Sequence, residues 1–240
     1  MRAGRALNWT WHYRRLSADC ALLRLATPPE ALVASEVAQV ARGDATVKVI
    51  VTRGAGGRGY GISGAAPATR VVAAFAAASH DPAYQREGVA VRRCSLVLSE
   101  QPRLAGAKTL NRLENVLARS EWDDPGIVEG LLADAGGRVI EGTASNLFVV
   151  KRGRVSTPDL ARCGVVGAQR ERVRELLGRA GLECEVRDIA LAEIDEADEI
   201  FLTNSVIGAW PVAELGERRW SPGVVTRRVQ ELIAQHDARA

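Results

Sequence analysis

Hydrophobic and polar positions along the first part of the chain form two kinds of pattern. Apolar residues recur at helical spacing in two stretches, and they alternate or run together in three others. The predicted elements are helices at 13–25 and 30–42 and strands at 47–52, 70–76 and 89–98. A connector at 101–107, with Pro102 and Gly106, ends this region because neither residue suits a regular element.

Beyond the connector, helices alternate with short strands. Three segments carry apolar residues on one helical face. They are 109–121 with Leu110, Leu113 and Leu117, 169–180 with Val173, Leu176, Leu177 and Ala180, and 223–236 with Val225, Val229, Leu232 and Ile233. A meander of apolar strands lies between the first two helices, at 127–132, 139–140 and 146–150. The chain is therefore predicted to be an α+β protein with a small lobe over 1–100 and a large lobe over 108–240.

The composition is that of an ordinary folded protein. Of the 240 residues 47% are hydrophobic and 25% are charged, and the formal net charge is +3. Basic residues are scattered among acidic ones, so we expect no binding of nucleic acid and no attraction to an anionic membrane. The chain has no apolar run of about 18 residues and begins with a polar segment, so we expect neither a membrane span nor a signal peptide.

The four cysteines and three histidines show no spacing typical of a metal site or a disulfide framework. Neither a C-x-x-C pair nor an H-E-x-x-H motif occurs. We therefore expect no metal and a reduced, cytoplasmic protein.

Lysine is rare, since only three of the 32 basic residues are lysines. A primary amine can form a Schiff base, so each lysine is a candidate for covalent chemistry. Lys48 in an alternating strand and Lys151 in a turn are typical of solvated side chains. Lys108 immediately precedes a predicted helix, whose positive dipole end would disfavour the ammonium form and assist a nucleophile or base. By position alone, an exposed lysine without a chemical role is the simpler alternative.

A glycine-rich loop follows the first predicted strand. Residues 54–59 match the G-x-G-x-x-G pattern of dinucleotide-binding proteins, but that motif needs a helix that starts at its third glycine. Tyr60, further glycines and Pro67 follow instead, and they disfavour a helix. We interpret the segment as a turn between strands, in which Arg58 and Tyr60 are candidates for ligand contact.

Two further segments have polar groups at the ends of predicted elements, where they are candidates for ligand binding. Glu141 ends an apolar strand and is followed by Gly-Thr-Ala-Ser. The stretch 163–170 has two glycines and leads directly into a helix, where free N–H groups and the helix dipole favour an anion. A solvated glutamate and a plain helix start are the open alternatives.

Together these signals supply an amine, a carboxylate and an anion site, which are the groups that pyridoxal 5'-phosphate requires. Lys108-Thr-Leu-Asn-Arg-Leu-Glu114 and Glu141-Gly-Thr-Ala-Ser-Asn-Leu-Phe148 lie 33 residues apart at their first positions. Both resemble motifs of the fold-type IV, or branched-chain-aminotransferase-like, pyridoxal-phosphate enzymes. Stretches 52–60, 163–167 and 203–212 agree with the same family, so the resemblance covers nearly the whole chain.

The resemblance implies a two-lobed fold and assigns roles to matched residues. Lys108 would form the Schiff base with the cofactor and then move protons, and Glu141 would pair with the protonated pyridine nitrogen. Arg15, in the His-x-x-Arg-Leu pattern at 12–16, would bind the cofactor phosphate, a task that suits a guanidinium. The other implied contacts are Gly167, Ala168, Gln169 and Ser205 with the phosphate, and Arg58 and Tyr60 with the substrate.

Within the family, the form of the Lys108 motif resembles the lyase branch. This implies that the small-molecule substrate aminodeoxychorismate loses its enolpyruvyl group as pyruvate and becomes 4-aminobenzoate, a folate precursor. The family also implies a homodimer. The alternatives are an aminotransferase for D-amino or branched-chain amino acids, a non-catalytic remnant, and more remotely an oxidoreductase built on the glycine loop.

Relative to the family, this chain starts late. Family members normally open with a further strand pair and a Tyr-Gly-Asp-Gly-like stretch, whereas this chain begins just upstream of the pattern at 12–16. We therefore expect the small lobe to lack its first strands and to expose unpaired backbone at a sheet edge.

Overall fold

The structure, a computed structural model, describes residues 1–62 and 67–239. It divides the chain into two units, Met1–Ser79 and His80–Ala240. Within the described residues, every helix is too short or too polar to cross a membrane.

The first unit contains two helices followed by a pair of strands. Its elements are α1 (Trp9–Leu22), α2 (Glu30–Val40), β1 (Ala45–Thr52) and β2 (Thr69–Ala76). Val33 and Val37 are buried on α2, one turn apart, as the predicted helical stripe requires. The two strands are antiparallel, with Thr52 opposite Thr69.

This pairing shows what the glycine-rich loop connects. Residues 63–66 of the loop lie outside the described part of the chain. The loop joins two antiparallel strands, whereas a dinucleotide fingerprint joins a strand to a helix in a parallel unit. The prediction of a turn between strands is confirmed, and the dinucleotide interpretation is excluded. Gly54 is needed here because its φ is +79° and a Cβ would lie 2.4 Å from the Pro67 carbonyl oxygen.

The second unit is built on a mixed sheet. Its helices are α3 (Pro82–Arg86), α4 (Leu113–Arg119), α5 (Ala168–Arg179), α6 (Leu191–Asp195) and α7 (Val224–Arg239). Its strands are β3 (Val89–Leu98), β4 (Ile127–Asp134), β5 (Val139–Gly142), β6 (Asn146–Lys151), β7 (Arg154–Pro158), β8 (Cys184–Arg187), β9 (Glu199–Asn204), β10 (Gly208–Leu215) and β11 (Arg218–Arg219). The strand order is β5-β4-β3-β10-β9-β6-β7-β8, and β11 pairs with β10.

The central strands β6 and β9 are buried on both faces. Phe148 lies opposite Phe201, and their rings stack with centroids 4.7 Å apart. Both rings pack against the apolar stripes of α5 and α7, while Leu147 and Leu202 point into the core on the other face. Strands covered on both faces are continuous apolar runs, which explains why 146–150 is recognisable in the sequence. The predicted α+β class and the stripes of α5 and α7 are confirmed.

The predicted stripe of α4 is wrong. The helix covers only Leu113–Arg119 rather than 109–121, and Ala118 is its buried residue. Leu110, Leu113 and Leu117 are 62%, 69% and 52% exposed. Helical spacing of leucines shows that a segment has an apolar face, but it does not show that the same chain covers that face.

The division of the chain also differs from the predicted lobes. We placed the lobe boundary near residue 100, whereas the structure divides the chain after Ser79. The reason is β3, which pairs in parallel with both β4 and β10 and therefore belongs to the sheet of the second unit.

Candidate active site

Lys108 lies in an irregular segment that is pinned to a distant loop. The Gly106 N–H donates to the Gly164 carbonyl over 3.0 Å, and the Val166 N–H donates to the Gly106 carbonyl over 2.8 Å. Gly106 has a φ of +80°, and a Cβ there would lie 3.1 Å from Val166 Cγ2. These bonds place the exposed side chain of Lys108 beside the loop that follows residue 163.

The helix-dipole argument for Lys108 does not hold. Because α4 begins at Leu113, Lys108 precedes the helix by five residues, and the dipole acts only over the first turn. What distinguishes this lysine is its charge acting on the buried carboxylate of Glu141.

Sequence reasoning missed two polar residues that hold the Lys108 segment. Arg112 Nη2 donates to the Ala107 carbonyl over 3.3 Å and to Thr109 Oγ1 over 3.0 Å, so the guanidinium binds the residues on either side of Lys108. Its Nη1 lies 3.5 Å from Asn115 Oδ1. The available signal was the i, i+3 spacing of Arg112 and Asn115, which puts them on one side of the turn.

Glu141 is a buried carboxylate at the end of β5 and is 4% exposed. Its Oε2 accepts a 2.8 Å hydrogen bond from the Val165 N–H. Burial raises the pKa of Glu141 to about 7, and this effect outweighs the Val165 hydrogen bond. The charges of Arg112 and Lys108 and a hydrogen bond from Asn115 also lower the pKa. A carboxyl balanced in this way responds strongly to a cation placed next to it.

An asparagine clamp holds the segment that leads into α5. Asn146 Nδ2 donates to the Val165 carbonyl over 2.8 Å, and Asn146 Oδ1 accepts from the Gly167 N–H over 3.1 Å. A Cβ at residue 167 would lie 2.2 Å from Asn146 Oδ1, so the clamp requires glycine. Among the described residues no side chain caps this helix, which leaves the first-turn N–H groups of Ala168 and Gln169 available to an anion.

The turn after β9 contributes the exposed Ser205. Asn204 Oδ1 accepts from the N–H groups of Val206 and Ile207, over 2.8 and 2.9 Å, and so shapes this turn. Asn204 Nδ2 donates to the Ala144 carbonyl over 3.1 Å. This bond joins the turn of Ser205 to the loop between Glu141 and Asn146.

Three of the predicted contact residues belong to the first unit. Arg15 lies on α1, where its Nε is 3.7 Å from Asp19 Oδ2, and it lines a cavity of about 150 Å³ within this unit. Arg58 and Tyr60 are exposed on the loop after β1. Their contacts with a cofactor or a substrate stay predictions.

The second unit thus brings an amine, a buried carboxylate and an uncapped helix start into one hydrogen-bonded arrangement. Such an arrangement can bind a cationic ring at the carboxylate and an anionic group at the helix, while the amine reacts covalently. Within residues 1–62 and 67–239, no three His, Cys, Asp or Glu side chains are grouped to hold a metal ion.

Fold and site together define the class of protein. The structure matches the crystal structure of 4-amino-4-deoxychorismate lyase from Pseudomonas aeruginosa with a TM-score of 0.94 and 40% sequence identity. The match covers 98% of this chain and 87% of that chain. The fold is therefore that of the fold-type IV aminotransferases and lyases, which confirms the resemblance found in the sequence.

The chain belongs to the amino-transferase class IV family, whose sequence model matches residues 1–215. It is 34% identical to the aminodeoxychorismate lyase of Vibrio harveyi over 235 residues, which is 95% of this chain and 87% of that protein. It is 30% identical to a putative branched-chain-amino-acid aminotransferase of Methanocaldococcus jannaschii over 196 residues, which is 78% of this chain and 66% of that protein. The two lyases thus match the chain at higher identity and over more of its length than this aminotransferase does.

Proposed function

We propose that this chain binds pyridoxal 5'-phosphate and converts aminodeoxychorismate to 4-aminobenzoate and pyruvate. The observation that supports this most directly is the arrangement of Lys108, Glu141 and the start of α5 in one site. Similarity to two lyases of this name over nearly the whole chain supports the choice of reaction.

The groups present fit this cofactor. Lys108 is the amine that would hold it covalently, and Glu141 is a buried carboxylate that would pair with the protonated ring nitrogen. The N–H groups of Ala168 and Gln169, in the second unit, would hold the phosphate of the cofactor. Ser205, in the same unit, is a further proposed contact of that phosphate. Arg15 completes the proposed phosphate contacts. When bound, the cofactor supplies an electron sink that acidifies the C–H bond at the amine-bearing carbon of the substrate.

The proposed reaction needs two proton movements and no second substrate. Lys108 removes the proton from the amine-bearing ring carbon. The bond between the ring carbon and the enolpyruvyl oxygen breaks, one proton is delivered to the leaving group, and pyruvate departs. The ring becomes aromatic, which drives the reaction. The two products together contain all the atoms of the substrate, so neither water nor an amino acceptor is consumed. Arg58 and Tyr60 are the proposed contacts of the substrate carboxylates.

The large lobe, over 108–240, is the proposed cofactor lobe, and all of its named groups lie in the second unit.

A homodimer is part of the proposal, because this unit carries an exposed apolar surface next to the site. This surface, called here the α4 patch, consists of Leu104, Leu110, Leu113, Val116 and Leu117, which are 41–69% exposed. Several large apolar side chains exposed within a short segment of a folded chain are typical of a protein interface, and a second copy is the proposed occupant.

The cofactor site is tested by replacing two lysines. We expect Lys108→Ala to abolish the absorbance band of covalently bound pyridoxal phosphate and to lower the rate of 4-aminobenzoate formation at least about a hundredfold. Lys48→Ala is the matched control, since Lys48 is exposed on β1, and it should change neither. A band that survives Lys108→Ala and disappears with Lys48→Ala would contradict the assignment.

The reaction is tested by supplying aminodeoxychorismate with and without 2-oxoglutarate. The proposed lyase releases equal amounts of 4-aminobenzoate and pyruvate, and the rate does not depend on 2-oxoglutarate. Formation of glutamate from a D-amino or branched-chain amino acid, without 4-aminobenzoate from aminodeoxychorismate, would favour an aminotransferase.

A further inference from the structure

The loop between β5 and β6 is built around a buried carboxylate from β4. Glu129 is 7% exposed. Its Oε1 accepts from the Gly130 and Thr143 N–H groups, both over 2.9 Å, and from the Thr143 hydroxyl. Its Oε2 accepts from the Ala144 N–H over 3.1 Å and from the Ser145 hydroxyl over 2.9 Å. One carboxylate therefore binds five donors, and four of these come from three consecutive loop residues.

The close fit of the loop depends on a glycine. A Cβ at Gly142 would lie 3.0 Å from Cγ and Cδ of Glu129 and 2.3 Å from Ser145 Oγ. Contacts this short would push the loop off the carboxylate, so the strand end and the carboxylate form one packed unit.

The carbonyl groups of the same loop bind two other parts of the site. The Thr143 carbonyl accepts from Asn115 Nδ2 over 3.1 Å, and Asn115 belongs to the segment that holds Lys108. The Ala144 carbonyl accepts from Asn204 Nδ2, which shapes the turn of Ser205. The loop is thus a common support for the amine side and the β9 side of the site.

The two ends of the loop are the groups that hold the segment before α5. Glu141 precedes the loop and accepts from the Val165 N–H. Asn146 follows it and binds both Val165 and Gly167. A displacement of the loop would therefore move the ring-binding carboxylate and the phosphate-binding helix start together.

We infer that Glu129 is a positioning residue, whose carboxylate sets the distance and orientation between Glu141 and the start of α5. The inference rests on the proposed cofactor site and adds to it a residue that contacts neither Glu141 nor the start of α5 directly. A carboxylate only accepts hydrogen bonds, whereas a glutamine amide offers one accepting oxygen and one donating nitrogen. Glu129→Gln therefore sets the donating amide nitrogen against at least one backbone N–H group while keeping the volume of the side chain.

Glu199 offers a matched control in the same unit. Its carboxylate accepts from the Val225 N–H and from the N–H and hydroxyl of Thr226, at 2.8–3.0 Å, and so caps α7. Glu199→Gln disturbs the same kind of bonds, here to two backbone N–H groups and one threonine hydroxyl. It does so without touching the loop at 143–145.

The first measurement is amide hydrogen exchange in the cofactor-free protein. In Glu129→Gln we expect exchange to become about tenfold faster at Val165 and Gly167 as well as at 143–145, since lost charge-assisted hydrogen bonds loosen the whole support. In Glu199→Gln only the amides near 225 and 226 should change. Faster exchange confined to 143–145 in Glu129→Gln would overturn the inference and leave Glu129 a purely local role.

The second measurement is the dissociation constant of added pyridoxal phosphate, followed by its absorbance. Glu129→Gln should raise it about tenfold, whereas Glu199→Gln should stay within about twofold of the parent chain. Equal affinities in all three proteins would also overturn the inference. If neither the parent chain nor Glu199→Gln binds the cofactor, the proposed function fails, while exchange at Val165 and Gly167 still decides the role of Glu129.

A milder variant covers the case in which Glu129→Gln does not fold. Ser145→Ala removes one of the five donors and leaves the carboxylate in place. Its effects on exchange at Val165 and Gly167 and on cofactor affinity should go in the same direction and be smaller. No change in either quantity would count against the inference.

Discussion

At the residue scale, the site is governed by the competition between burial and charge at Glu141. Burial disfavours the carboxylate, and the neighbouring Arg112 and Lys108 favour it without fully compensating. A bound pyridinium would shift the balance to the ionised form, since an adjacent cation lowers the pKa of a carboxyl. The ionised residue would therefore attract a charged ring more strongly than a solvated carboxylate does, because little water screens the two charges.

Glu141 makes the stability of the cofactor-free protein depend on pH. Its folded-state pKa of about 7 lies above the ordinary 4.5, so the folded chain keeps a proton that the unfolded chain loses. The free energy of unfolding should therefore fall as the pH rises from 4.5 to about 7, by up to about 3 kcal/mol from this residue. Glu141→Gln should remove that part of the pH dependence.

Urea unfolding near pH 5 and near pH 8 measures this effect in both proteins. The other titrating groups are common to the two chains, so the difference between their pH dependences isolates residue 141. Parallel pH dependences would show that Glu141 does not carry a raised pKa.

Alanine substitutions at two glycines of the second unit distinguish the cost of backbone strain from the cost of crowding. Gly164 has a φ of +84°, and a Cβ there would lie 2.7 Å from Ile140 Cγ2 and 2.9 Å from Leu160 Cδ2. Gly137 has a φ of +72° with no atom within 4 Å of such a Cβ. Both alanine variants should lose about 1 kcal/mol through the left-handed backbone, and Gly164→Ala should lose a further 1–3 kcal/mol, roughly, through overpacking.

Denaturant unfolding of Gly164→Ala and Gly137→Ala checks this prediction. Equal losses in the two variants would mean that the loop before α5 relaxes freely. In that case the close packing beside Glu141 would not constrain the site.

At the element scale, α5 is tied to α7 by a fully buried arginine. Arg172 is 1% exposed, and its Nη2 donates to the Ile233 carbonyl over 3.1 Å and to the carboxylate of Asp237. The apolar stripes bring the two helices together, but this guanidinium fixes their relative rotation because its bonds need defined geometry.

Arg172→Leu should therefore destabilise the protein by about 3 kcal/mol, because the mostly buried carboxylate of Asp237 loses its charged partner. Arg174→Leu is the control on the same helix. Arg174 pairs with Glu171 over 2.8 Å but is 32% exposed, so its loss should cost no more than about 1 kcal/mol. Thermal unfolding compares the two, and similar melting temperatures would contradict the role of Arg172.

At the scale of the whole molecule, the α4 patch is the proposed interface between two copies of the chain. Leu117→Lys places a charge in the patch, where Glu114 lies three positions earlier and tolerates it. We expect the parent chain to sediment as a dimer and Leu117→Lys to sediment as a monomer at micromolar concentration. Leu22→Lys is the control, since Leu22 is 48% exposed at the end of α1 and Leu117 is 52% exposed. A monomeric parent chain, or dissociation by Leu22→Lys alone, would contradict the proposed interface.

Much of the fold was predictable because it is encoded locally. The predicted strand 89–98 has the observed bounds, β2 differs from the prediction by one residue at its start, and α5 differs by one residue at each end. In each case the apolar spacing and the flanking turn residues lie within the element itself. Glu141 and the glycines before α5 were recognisable for a similar reason, since they sit at the boundaries between such elements.

The sequence by itself determined the α+β class, the family to which the chain belongs and the elements with clear apolar spacing, such as β2, β3 and α5, and it supplied the candidate residues for the proposed site. It did not determine where α4 begins, that the leucines of α4 stay uncovered, or that β3 belongs to the second unit. Nor did it reveal Arg112, Asn115 or Glu129, because their roles depend on carbonyl and N–H groups of other segments. Periodicity reports which face of an element is apolar, whereas hydrogen bonds between loops form only when the sheet has brought those loops together, and for that reason the support of the site was decided by the tertiary structure.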